Sequence, residues 1–437
     1  MTLAGRDAMK RISFGRVLSV TALSFALAVS WNTLEPSLLG RKVLELVPNG
    51  RNTALGLATF AGLIVACLVQ PIVGVLSDRT SSRWGRRTPF VAVGTLGTIA
   101  SLFLIALATR FWQVLVGLVL IQIASNTAQG PWQALMPDRV PAVQRGAASG
   151  LKAALDIAGF MVGRLAAGYL ISHHVNVGMR AVLWTVSVPT LVWLVCLLAT
   201  LPTSHERLVP VTLPRRSLRE ALSQAFAVDL KTYPAFGRWF VNRALFWGAF
   251  IAVNTFLLFY LMDVVGLGEA EGQRFVGQLS AVLGVALVGA TIPSGYLADR
   301  IGRRPLLIAA GVMAAAGTSL VLVARSLVAL TACGVLIGVG IGVFLSANWA
   351  WITDIVPAAE AARYLGVANV ATAAGSGAGR LLGGAVIDRV NGLFASGTAG
   401  YFLVYALAAS AFLLSAVAVL PRGGELPREA KIESLAT

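Results

Sequence analysis

The chain has 437 residues, 57% of them hydrophobic and only 12% charged, with a mean hydropathy of +0.78. Soluble globular domains carry roughly 25% charged residues, so this composition excludes them and points to a membrane protein. The net charge of +16 does not argue for nucleic acid, because the basic residues sit in short loops between apolar runs, where they act as topology signals.

In chain order, Arg6, Lys10, Arg11 and Arg16 precede the first apolar stretch. That stretch is long enough to span and no small-residue cleavage site ends it, so it reads as a retained helix rather than a signal peptide. A span needs about 20 apolar residues. Such runs lie near 17–38, 52–76, 88–108, 111–135, 147–171 and 179–201, then near 238–262, 273–297, 305–324, 327–352, 361–387 and 399–420. The expected fold is therefore all-α, with twelve transmembrane helices in two six-helix bundles, residues 1–201 and 238–437 with a short tail. The linker at 202–237 holds Pro202, Pro210, Pro214 and Pro234. Leu218, Leu222 and Phe226, four residues apart, predict an amphipathic surface helix over 217–230. Most basic residues, including Arg79, Arg83, Arg86, Arg87, Arg215, Arg216, Arg219, Arg300, Arg303 and Arg304, fall in loops on the side of the N-terminus. The positive-inside rule then places both termini in the cytoplasm; a multi-pass, monomeric cell-membrane protein is expected.

The loop after the second run carries Gly74, Asp78, Arg79, Gly85, Arg86 and Arg87; Gly295, Asp299, Arg300, Gly302, Arg303 and Arg304 echo it in a loop four residues shorter. Later landmarks keep a constant offset: 354 − 138, 357 − 141, 366 − 150 and 380 − 164 all equal 216. Two halves with the same polar punctuation are the signature of a transporter built from parallel repeats, with its substrate path between the halves. Gly74 is expected to let a neighbouring backbone approach closely. The arginines can pair with carboxylates such as Asp78, Asp138, Asp299 and Asp354, forming a cytoplasmic gate that closes and releases, or can simply anchor topology. Trp132 and Gln133 correspond to Asn348 and Trp349, and both pairs are assigned to that inner gate.

Ionisable residues inside membrane helices are functional candidates. Lys152, Asp156 and Arg164 share one face of helix 5, with Asp156 about 14 Å along it at 1.5 Å per residue. Asp156 is a candidate for proton coupling; a permanent Lys152–Asp156 ion pair is the plainer reading. Arg164 and Arg380 each follow a glycine pair, Gly159/Gly163 and Gly375/Gly379, which favours close helix packing over substrate contact or an outer gate. Trp31, Asn32 and Glu35 share a face of helix 1 and offer an aromatic plane beside hydrogen-bonding groups, as a sugar requires. Glu35 is a second coupling candidate, or is solvated, or is paired with Arg164. Gln122, Asn126, Arg243, Asn254 and Asn369 complete the polar candidates on the substrate path. Cys67, Cys196 and Cys333 are odd in number and lack a CxxC, which excludes a disulfide framework. The adjacent His173-His174 has no further ligands. No metal and no cofactor is expected.

At the repeated Gly-x-x-x-Asp-Arg…Gly-Arg-Arg stretches the chain resembles the major facilitator superfamily, and this resemblance covers nearly its whole length. It implies alternating access between two six-helix repeats. The longer first loop, preceded by Gln70-Pro71-Ile72-Val73-Gly74, is similar to the sucrose/proton symporters, which lie near the glycoside–pentoside–hexuronide family. So is Asn126-Thr127-Ala128-Gln129-Gly130-Pro131-Trp132-Gln133-Ala134-Leu135-Met136-Pro137-Asp138. Sodium-coupled relatives carry an aspartate immediately before that proline; here Gln70 stands there, which implies protons. The expected function is proton-coupled symport of a sugar or glycoside. The alternative is proton-driven export of a drug or small metabolite, for which no glycine/proline-rich helix 5 motif is present. No nucleophile elbow, HExxH or P-loop suggests an enzyme.

Overall fold

The computed structural model describes residues 12–80, 82, 84–141, 144–174, 179–204, 234–355, 361–394 and 397–420. They form twelve helical rods. The first, α1, is composite: Phe14–Thr21, Leu23–Thr33, a π-type segment Leu34–Leu38, and Leu39–Leu46. Then come α2 (Arg51–Arg79), α3 (Thr88–Leu107), α4 (Phe111–Arg139), α5 (Arg145–His174) and α6 (Met179–Ser204). The second set is α7 (Pro234–Asp263), α8 (Glu269–Ile301), α9 (Arg303–Val321), α10 (Leu327–Ile355), α11 (Ala361–Leu393) and α12 (Ala399–Ala418). Among the described residues ten helices are long and apolar enough to cross a membrane; α6 adds a shorter apolar stretch, Val186–Thr200. The amphipathic helix expected at 217–230, with Arg215, Arg216 and Arg219, lies outside the described residues.

Local chemistry sets the boundaries. A capping box opens α4, where the Gln113 side chain accepts from the Arg110 amide at 3.0 Å and so satisfies a donor the helix cannot. Pro89 stands in the first turn of α3, where its missing N–H is not needed. Gly85 and Gly302, the glycines of the two arginine loops, both take positive φ, 92° and 88°, a conformation that L side chains resist. Inside α1, Glu35 leaves the helix at φ −110°, ψ 131°. It precedes Pro36, and a residue before proline is pushed out of the α region.

The repeat is visible in the packing. In the first half α1 packs on α5 and α6, α2 on α4, and α3 on α4 and α6; in the second, α7 packs on α11 and α12, α8 on α10, and α9 on α10 and α12. The halves meet through α5 against α8 and α2 against α11, pairs that the same two-fold relation interchanges. Large apolar side chains such as Trp112, Leu198, Val285 and Leu413 remain exposed on the outside of the bundle, where lipid replaces water as their solvent.

The two ends of the interface differ. At the end away from the arginine loops, the outer one by the charge rule, the backbones touch. A Cβ at Gly384 would stand 2.2 Å from Asn52 O, and one at Gly56 would stand 2.3 Å from Arg380 O. At Gly168 it would stand 2.7 Å from Gln273 O. Polar contacts lock the same end. Arg41 pairs with Glu269 at 2.6 Å, and Arg51 with Asp263. Asp388 of α11 accepts from Asn52 Nδ2 at 2.8 Å and from the Thr53 amide at 2.6 Å. The residue that precedes α2, Gly50, has no capping side chain, so the opposite half supplies that cap.

At the inner end the expectation for Gly74 fails: a Cβ there would meet nothing within 4 Å, because the helices are splayed. Gly295 faces only Ser346 Oγ of its own half, at 3.5 Å. Arg303 pairs with Asp354 at 3.2 Å and Arg87 donates to Pro131 O at 3.5 Å, each within its own half. Among the described residues the contacts across the halves gather at the outer end, and the cavity between the halves widens toward the inner one.

Candidate functional site

The splayed halves enclose a cavity of about 840 Å³. Its wall is drawn from α1, α2, α4 and α5 on one side and from α7, α8, α10 and α11 on the other. Nine of the substrate-path and coupling candidates line it: Trp31, Asn32, Glu35, Gln122, Asn126, Asp156, Arg164, Asn254 and Arg380. Lys152 does not line it but bonds Asp156, which does. Asn369 is exposed and lies outside the lining.

One face of α5 grades the site from inside to outside. Lys152, Asp156, Phe160 and Arg164 are each one turn apart, so their side chains form a column. Lys152 Nζ lies 2.8 Å from Asp156 Oδ2, and the two side chains are 30% and 42% exposed, wetted through the open inner end. Exposed pairs of this kind add at most about 1 kcal/mol. Arg164, three turns further out, is 2% exposed. Its guanidinium stacks 5.7 Å from the Phe160 ring. It donates to Asn32 Oδ1 at 3.4 Å and to Asn254 Oδ1 at 3.2 Å, one acceptor from each half.

The sequence leaves Glu35 as a coupling candidate, solvated, or paired with Arg164; the structure places it 2.8 Å from Arg380 Nη2, across the halves. The break at Pro36 turns Glu35 off the helix axis and makes this reach possible. The glycine pairs do serve packing. A Cβ at Gly159 would stand 2.7 Å from Ala28 Cβ, and at Gly163 2.6 Å from Val29 O. At Gly375 and Gly379 it would stand 2.0 Å from Ala244 O and 2.3 Å from Gly248 O. These contacts seat α5 on α1 and α11 on α7, and the neighbouring arginines are thereby turned toward the cavity.

Arg243 does not line the cavity. It is buried in the second half, bonding Asn348 Oδ1 at 2.6 Å and Thr372 Oγ1 at 2.7 Å, between the rings of Trp239 and Trp349 at 5.4 and 4.8 Å. Asn348 also donates to Asn242 at 3.0 Å. The inner-gate assignment of Asn348 and Trp349 therefore changes: Asn348 belongs to this network and Trp349 lines the cavity. Hydrogen bonds to a charged group contribute about 1.5–3 kcal/mol. Asn348→Leu is accordingly expected to lower the unfolding midpoint of the detergent-solubilised protein; an unchanged midpoint would mean that Arg243 is satisfied without it.

Sequence reasoning missed Gln129, Phe160, Trp247, Phe250, Thr291 and Ser346, all on the cavity wall. Gln129 was within reach, since Gln122, Asn126 and Gln129 recur at helical spacing on α4. The aromatic residues carry no such signal, because they look like core residues until the cavity is seen. Among the described residues no group of His, Cys, Asp and Glu could hold a metal.

The family model described as Major Facilitator Superfamily matches residues 12–289 and 271–435. The multidrug resistance protein MdtG of Salmonella dublin is 27% identical over 304 residues, covering 68% of this chain and 70% of that protein. MdtG of Citrobacter koseri is 28% identical over 257 residues, covering 58% and 59%. Among solved structures, the nucleoside transporter NupG superposes with a TM-score of 0.70 at 16% identity over 92% of this chain and 98% of that one. A bacterial homolog of the human lysosomal transporter Spinster, inward-facing and unoccupied, gives 0.66 at 17% identity, covering 93% and 95%. The chain belongs to the Major Facilitator Superfamily and is a multi-pass membrane transporter.

Proposed function

We propose that this superfamily member is a proton-coupled symporter of a small polar solute of the sugar or glycoside type. The carrying observation is the cavity, which both halves line and which combines aromatic planes (Trp31, Trp247, Trp349) with amides (Asn32, Gln122, Asn126, Gln129, Asn254). Rings that accept the CH faces of a sugar, beside groups that bond its hydroxyls, are what such a ligand needs. The first-half stretches similar to the sucrose/proton symporters favour the same reading. Solute and proton binding would rock residues 1–201 against 238–437. The arginine loops, with Asp78, Arg79, Gly85, Arg86, Arg87, Asp138, Asp299, Arg300, Arg303, Arg304 and Asp354, would form the inner gate when the splayed end closes. Asp156 and Glu35 are the carboxylates on the cavity wall able to take the proton. Each chain has a complete cavity, so a monomer suffices.

One observation favours the second reading, export of a drug or small metabolite: the relatives quoted above are multidrug resistance proteins. Uptake by proteoliposomes with and without an inward proton gradient separates the two. Gradient-driven accumulation of a sugar or glycoside is expected. Extrusion of a dye with no response to any sugar would reject symport.

A further inference from the structure

The outer end of the cavity holds more positive charge than the protein itself answers. Arg164 and Arg380 line it and Glu35 is the carboxylate beside them: two guanidiniums against one acid. Glu35 is committed to Arg380 Nη2 at 2.8 Å. Arg164 therefore rests on two neutral amide oxygens. Toward the inner end Lys152 and Asp156 cancel one another, and among the described residues no carboxylate pairs with Arg243 behind Trp349. The excess is positive at both levels.

Unused donors mark where the excess acts. Arg164 Nη1 and Arg380 Nε are buried and have no hydrogen-bond partner. A buried, unanswered donor on a charged group is costly, and both of these arginines also line the cavity. Planar guanidiniums are suited to two-point recognition of oxyacid groups. The two arginines are equivalent in the repeat, 380 − 164 = 216, and come one from each half.

We propose that the transported solute carries an anionic oxyacid group, a carboxylate or a phosphate, which Arg164 and Arg380 hold from opposite halves. This deepens the symporter reading and rests on it. An anion placed there draws the halves together at the level of the outer seal and competes with Glu35 for Arg380. It also gives Arg164 the acceptor that the empty protein lacks.

Binding to the purified protein tests this, with the fluorescence of Trp31, Trp247 and Trp349 as readout and three matched probes: D-glucose, D-gluconate and D-glucose 6-phosphate. At least one acidic probe is expected to bind tenfold or more tightly than glucose, and the stronger of the two identifies carboxylate or phosphate. Arg164→Gln should reduce that preference to less than threefold, while Arg164→Lys, which keeps the charge without the fork, should retain part of it. The wild-type comparison needs no variant to fold. Glucose binding as tightly as either acid would overturn the proposal and leave the sugar reading standing. A preference that survives in folded Arg164→Gln would also overturn it. Failure of all three probes to bind would reject both readings.

Discussion

Gly384→Val will hold the outer end apart and lower transport at least tenfold without unfolding the protein. The added Cβ would stand 2.2 Å from Asn52 O and 2.7 Å from Asn52 C. Those are backbone atoms in the first turn of α2, so no side chain can rotate out of the way. Overpacking a tight contact costs about 1–3 kcal/mol, and about 1.4 kcal/mol already changes a population tenfold. The penalty falls only on the outwardly sealed form, because α2 and α11 separate there when the outer end opens. Spin labels on the outer ends of α2 and α11 should report a longer distance than in the wild type. Gly74→Val is the control: a Cβ there would meet nothing within 4 Å, so the outer distance should not change. An unchanged distance in Gly384→Val would mean that the seal does not depend on this contact.

Asp156→Asn is expected to abolish accumulation driven by a proton gradient, taking the accumulation ratio from tenfold or more to unity, while exchange of internal for external solute continues. Asp156 fits this role by position. It lies on the cavity wall, it is open to inner water in this conformation, and only one lysine one turn away holds it. A coupling group must be reached from one side at a time. Glu35 is less exposed at 19% and is tied across the halves to Arg380, so it is the less accessible carboxylate from inside. Asparagine keeps the shape and removes the proton site. Driven accumulation surviving in Asp156→Asn would pass the coupling role to Glu35, with Glu35→Gln as the next measurement.

Much of the fold was legible because a membrane leaves the backbone few options. Apolar length sets the helices, and the 216-residue offset pairs α5 with α11. Pairings across the halves were not legible. Glu35 and Arg380 are 345 residues apart in the chain, and the choice of Arg380 over Arg164 depends on how α1 bends at Glu35. Gly74 shows a second limit: its sequence signature describes a close approach, but the conformation present has that end open. Trp349 shows a third, since an aromatic residue near a helix end looks the same from sequence whether it packs in a core or faces a cavity.

The cap that Asp388 supplies to α2, with the Arg41 and Arg51 ion pairs, adds stability to one orientation of the empty carrier and not to the other. A solute outside binds only to the fraction of molecules that face it, so its apparent dissociation constant exceeds the intrinsic one by the inverse of that fraction. A solute inside meets no such handicap. The half-saturation concentration measured from outside should therefore exceed the one measured from inside, and the carrier rectifies. Removing the Asp388 carboxylate would bring the two values closer without altering a single group on the cavity wall.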